Sequence, residues 1–138
     1  AQTDQTFRRP AIQLAERQVQ QNADVWMYRF DWATPAFGGV LGSCHALEIP
    51  FVWSHLDDSQ LAMFLGDTIT PAMQELAAKM HTAWIAFART GNPDTNQAGL
   101  SAWPRYDTTK RSTLIFNEEC CVLDDPQAVE RQIWEQFQ

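Results

Sequence analysis

Apolar residues recur along the chain with two different periods. Phe7, Ala11, Leu14, Ala15 and Val19 fall at three- and four-residue intervals, the spacing that lines one face of a helix. With Asp4 near the start and Pro10 in the early turns, where proline is tolerated, they predict a helix over residues 5–21. Residues 25–32 (VWMYRFDW) are dense in aromatic side chains and lie between Asn22/Asp24 and Thr34-Pro35, which predicts a strand. Its apolar residues occupy both faces, as in a strand covered on both sides within the parallel sheet of an α/β protein. Met73, Leu76, Ala77, Met80, Trp84 and Phe87 return to the helical period. Thr70 serves as their cap, Pro71 takes the first position and Gly91-Asn92-Pro93 stops them, giving a helix over residues 71–90. Its Trp84 and Phe87 read as core. A polar loop over 94–101 and a short strand over 112–117 (STLIFN) follow. Asp125-Pro126 then opens a terminal helix with Val129, Ile133 and Phe137 on one face. Asp124 and Asp125 are expected to favour that helix start through its dipole. No internal repeat or linker interrupts the series.

At 138 residues, 45% of them hydrophobic, the chain suffices for one domain with a core and is too short for two ordinary ones. The formal charge of −7, with Arg8-Arg9 and Lys110-Arg111 as isolated pairs rather than a basic stripe, argues against a nucleic-acid partner. No apolar run approaches the ~20 residues that span a bilayer, so no membrane partner is expected. The first residue is Ala1 and no apolar leader follows. The start of the gene product is therefore expected upstream, together with any targeting signal. Cys44, Cys120 and Cys121 have the spacing of neither a disulfide framework nor a zinc site. Free thiols suit a reducing compartment such as the cytoplasm, although location itself is not legible. Arg29, Glu118 and Glu119 read as ordinary solvated charges.

Between the aromatic strand and the long helix lies GSCHALEIPFVW, residues 42–53. It places His45 in a small-residue loop, where chemistry tends to sit. A histidine activates a serine only when an acid orients it and the serine is within hydrogen-bond reach, and taken alone a loop histidine is more often structural. His55 and His81 are read as structural. A metal site built from Cys44, His45 and His55 fits no established ligand spacing, and no cofactor motif occurs. Nor does G-x-S-x-G, the turn that carries a hydrolase nucleophile.

Several separate motifs, in order and covering nearly the whole chain, resemble the C-terminal part of the type-B carboxylesterase family, which includes para-nitrobenzyl esterases, mammalian carboxylesterases and cholinesterases. Asp4, Phe7 and Pro10 come first. His45, Ala46, Leu47, Glu48, Ile49, Pro50 and Phe51 match the family's histidine segment. Trp84, Phe87, Thr90, Gly91, Asn92 and Pro93 match a tryptophan-bearing helix with its Thr-Gly-Asn-Pro end, and Trp103-Pro104 a following Trp-Pro pair.

The resemblance implies the C-terminal portion of an α/β-hydrolase fold, with His45 after the last core strand as general base and then general acid. Leu47 and Phe37 correspond to positions that often face substrate, simple packing being the alternative for each. Glu48 would orient the loop rather than handle the proton. The family's serine, acid and oxyanion loop precede the histidine by far more than the 44 residues present here, so all three are expected upstream and this chain alone is expected to be inactive. The substrate implied is a small-molecule ester, with no metal or cofactor. Two departures stand out: Ala46 replaces a frequent glycine, and Arg9 and about Arg131 stand where secreted eukaryotic relatives carry a disulfide. A catalytically dead, cholinesterase-like binding module is the alternative reading, against which the intact His45 speaks. Separated from the rest of such a fold, the chain would expose strand edges and apolar surface, and self-association is expected.

Overall fold

The computed structural model describes residues 3–57, 61–96 and 99–137. The order of elements is α1 (Arg9–Gln20), β1 (Met27–Phe30), α2 (Ile49–Val52), α3 (Ala62–Leu65), α4 (Pro71–Thr90), β2 (Ser112–Phe116), β3 (Cys121–Asp124) and α5 (Ala128–Glu135). The strands form one sheet in the order β1-β2-β3. β2 and β3 pair as a hairpin, with Ser112 Oγ donating to Asp124 Oδ1 at 2.6 Å. β1 and β2 bring their C-terminal ends together, where the Asp31 N–H donates to the Phe116 carbonyl at 2.8 Å. The sheet is therefore mixed. Residues 97 and 98 of the expected polar loop lie outside the described residues.

Two compact units emerge. The first holds residues 28–57, 61–96, 99–102 and 115–121, and α4 is its backbone. Thr70 Oγ1 accepts from the Met73 N–H at 3.2 Å, Pro71 follows, and Gly91 (φ 74°) closes the helix by donating to the Phe87 carbonyl. The buried stripe is Met73, Leu76, Ala77, Met80 and Ala83, the helical period read from the sequence. α2 packs against α4, and His81 Nδ1 lies 2.8 Å from the Val52 carbonyl, a structural contact. Two aromatic clusters complete the unit. Phe51 sits with its ring 5.2 Å from Phe30 and 5.0 Å from Trp32, and Tyr28 stands edge-on to Trp84 at 4.9 Å and to Phe116 at 5.9 Å. Trp84 and Phe87 depart from expectation: they continue the core stripe, but Trp84 is only half-buried and Phe87 is 50% exposed. The strand expected over 25–32 is also shorter, although Trp32 just beyond it is buried.

The second unit holds residues 3–27, 103–114 and 122–137. The helix expected over 5–21 is a π-helical turn, Asp4–Arg8, followed by α1, a change of winding just ahead of Pro10, which has no N–H to give to the ladder. Trp103 Nε1 donates to the Met27 carbonyl, and the Tyr106 N–H to that of Val25.

The terminal helix differs most from expectation. Asp125 (φ 44°) and Gln127 (φ 62°) turn the chain first, so α5 starts at Ala128. Asp124 is a strand residue bonded to Ser112, and Asp125 pairs with Arg131, so neither serves the helix dipole as expected. Val129, Ile133 and Phe137 share a face, yet all three are exposed and α5 buries no residue. Polar contacts hold it instead. Arg8 Nη2 donates to the carbonyls of Pro126 (2.7 Å) and Gln127 (3.0 Å), and the Arg9 guanidinium lies 5.8 Å over the Trp134 ring.

Candidate active-site loop

β1 delivers the chain to a loop that is tied down at both ends. Just beyond the strand, Thr34 is 1% exposed. Its hydroxyl donates to the Phe64 carbonyl in α3 and accepts from the Ala36 N–H at 3.0 Å. The Thr34 N–H donates to the Gly42 carbonyl at 3.2 Å, which closes the loop on itself. Inside it, Phe37 (φ 54°), Gly38 (φ 69°) and Gly39 (φ 78°) are all left-handed, and for an aromatic residue that conformation is strained. Phe37 is 60% exposed. Ser43 then ties the returning chain to the strand, its Oγ donating to the Phe30 carbonyl at 2.7 Å.

His45 opens the turn that follows and is an exposed residue. Ala46 has φ 66°, a conformation glycine adopts freely, which explains why a glycine serves well at this position. The Leu47 N–H donates to the Cys44 carbonyl, and the Ile49 N–H to that of Ala46, each at 3.2 Å. Glu48 stands at the head of α2, and its carbonyl accepts from Phe51 and Val52 at 3.0 Å. Phe51, fully buried, anchors α2 to the core, so the turn rests on a fixed element. Burial, aided by the negative charge of Glu48, raises the Tyr28 hydroxyl above its ordinary pKa.

The four residues singled out from sequence therefore share one loop and turn. His45 and Phe37 face solvent, Glu48 is half-buried, and Leu47 is 3% exposed, within the packing of its own unit. Sequence reasoning missed Thr34 and Ser43, whose signal was a hydroxyl at each end of a Pro/Gly-rich loop. It also missed the bidentate pair of Arg29 Nε and Nη2 on Asp31, both 2.6 Å, whose hydrogen bonds raise the Arg29 pKa. An i, i+2 spacing puts two side chains on one face of an extended segment. Among the described residues no group of three His, Cys, Asp or Glu is placed to hold a metal ion, and no helix is long and apolar enough to cross a membrane. Cys44, Cys120 and Cys121 are free thiols.

Comparison with known proteins places this loop in context. A family model described as the carboxylesterase family matches residues 1–134. The para-nitrobenzyl esterase of Bacillus subtilis is 40% identical over 132 residues, covering 94% of this chain and 25% of that protein. The acetylcholinesterase of Bungarus fasciatus is 31% identical over 113 residues, covering 80% of this chain and 18% of that one. Among solved structures, a Geobacillus stearothermophilus carboxylesterase superimposes with a TM-score of 0.82 at 38% identity, covering 96% of this chain and 26% of its own. A thermophilic PNB esterase gives 0.81 at 38% identity, covering 94% and 26%. The chain spans between about a fifth and a quarter of the length of these esterases, and its mixed sheet and helices match a C-terminal portion of their α/β-hydrolase fold. On the match of 134 residues to the family model and the shared fold, the chain belongs to the carboxylesterase family.

Proposed function

We propose that this chain is the C-terminal part of a serine carboxylesterase and supplies its acid–base histidine, His45, the nucleophile, the acid and the oxyanion loop coming from polypeptide upstream of Ala1. The observation that supports this most directly is an exposed histidine at the head of a turn tied to the end of β1 and to α2, in a chain of carboxylesterase ancestry.

In the proposed reaction a serine hydroxyl attacks the acyl carbon of a small-molecule ester. His45 accepts the serine proton and passes it to the departing alkoxide, leaving an acyl-enzyme. His45 then takes a proton from water, the resulting hydroxide attacks the acyl carbon, and return of that proton to the serine oxygen releases the acid. Glu48 holds the turn through α2. Phe37 offers its exposed ring to the substrate, whereas the burial of Leu47 gives it a supporting part beneath the turn. No cofactor enters this chemistry.

Hydrolysis of p-nitrophenyl acetate by the full-length protein tests the proposal. His45→Ala is expected to lower kcat by about 10⁴-fold or more with the circular dichroism spectrum unchanged, while the 138-residue chain alone shows no turnover above the buffer rate. Retained turnover in the His45 variant overturns the role of His45. Turnover by the chain alone overturns the dependence on upstream parts.

A further inference from the structure

A misplacement of about 1 Å in a reacting group costs as much as 10²-fold in rate, so the contacts that fix the segment leading to His45 bear on the function proposed for it. Two hydroxyls tie that segment to the elements around it. Thr34, 1% exposed, makes three hydrogen bonds: its Oγ1 donates to the Phe64 carbonyl in α3 and accepts from the Ala36 N–H, and its own N–H donates to the carbonyl of Gly42, three residues before His45. Ser43, two residues before His45, donates to the Phe30 carbonyl at the end of β1 at 2.7 Å. The turn is thereby referenced to a strand and a helix rather than to the loop alone. Phe64 lies in the last turn of α3, where carbonyls lack intrahelical partners, so the Thr34 hydroxyl also satisfies an acceptor that would otherwise be orphaned.

We infer that Thr34 and Ser43 are positioning residues for ester hydrolysis, fixing where His45 meets the serine and the substrate; the inference rests on the function proposed above. Thr34→Val keeps the shape and removes the hydroxyl, and Ser43→Ala removes the second tether at an exposed position.

The test measures kcat and KM for p-nitrophenyl acetate in the full-length protein, with kcat referred to folded protein by near-ultraviolet circular dichroism. A group that orients the catalytic base acts on kcat and leaves KM nearly alone. Thr34→Val is expected to lower kcat about tenfold or more with KM within about threefold, and Thr34→Ser to restore it to within about twofold. Ser43→Ala is expected to lower kcat about threefold. Should Thr34→Val fail to fold, Ser43→Ala and Thr34→Ser decide the matter, and an unchanged kcat in Ser43→Ala then overturns the inference. If His45→Ala abolishes turnover but both tether variants keep the parent kcat, the tethers do not position the histidine. If His45→Ala retains turnover, it is the proposed function that fails.

Discussion

Gly66 closes α3 against the same loop, and Gly66→Ala separates steric from conformational cost. The residue has φ +90°, and a Cβ built there falls 2.9 Å from Pro35 Cγ and 3.8 Å from Pro35 Cδ. The proline ring is tied to the backbone at both ends, so it cannot swing aside as the tip of a lysine would. Gly91 is the internal control, since it has φ +74° with nothing within 4 Å of its built Cβ. Forcing alanine into the left-handed region costs about 1 kcal/mol at either site. At Gly66 the overlap adds about 1–3 kcal/mol, the range for overpacking a filled site. Gly66→Ala is therefore expected to lose about 2–4 kcal/mol and Gly91→Ala about 1 kcal/mol. In urea, with a slope of about 2 kcal/mol/M, the first midpoint should fall about 1 M further than the second. Tryptophan emission during equilibrium denaturation reads both. A Gly66 variant that loses no more than the Gly91 variant would refute the close approach of Pro35.

Other expectations concern the polar attachment of α5 and the exposed apolar residues. Arg131→Met removes a guanidinium with 11% side-chain exposure that contacts Asp125 at 2.7 Å and Glu135 at 2.5 Å, and a partly buried pair of this kind is worth about 1–3 kcal/mol. Hydrogen bonds from Arg131 hold the Asp125 carboxyl below its ordinary value of 3.8. The stabilisation is thus complete above that value and is lost as pH falls through the lowered one. Urea midpoints between pH 2 and 6 should show an acid limb that flattens in the Arg131 variant; parallel limbs would refute the linkage. The 138-residue chain on its own, with Phe7, Leu14, Val129, Ile133 and Phe137 exposed, is expected to self-associate. A sedimentation coefficient independent of concentration, together with no binding of an apolar dye, overturns that expectation.

What was legible in the sequence was local. α4 could be read to the residue because Thr70-Pro71 and Gly91 carry its start and stop chemistry at its own ends, and β2 because Leu114, Ile115 and Phe116 are apolar, while the buried Ser112 and Thr113 are hydrogen-bonded. β3 was not legible. Cys121–Asp124 is mostly exposed and becomes a strand by pairing with β2, a partner that its own composition does not announce. Asp125-Pro126 has the composition of a helix start, but Arg131, six residues further on, claims the carboxylate, and two positive φ angles delay α5. α2 and α3 are single turns, too short for a period to show. His45 was visible through its flanking motif, whereas the tethers depend on where the Phe30 and Phe64 carbonyls lie, which is a tertiary matter.

The arrangement around His45 separates two requirements that conflict in one side chain. A proton-transfer group must be open to a substrate, and that openness forfeits the packing that fixes core residues in place. In this chain His45 and Phe37 are the exposed residues, and under the proposal fixation falls to Thr34, to Ser43 and to Phe51 at the core end of α2. The cost appears in the backbone: Phe37 and Ala46 both occupy the left-handed region, each at about 1 kcal/mol or more.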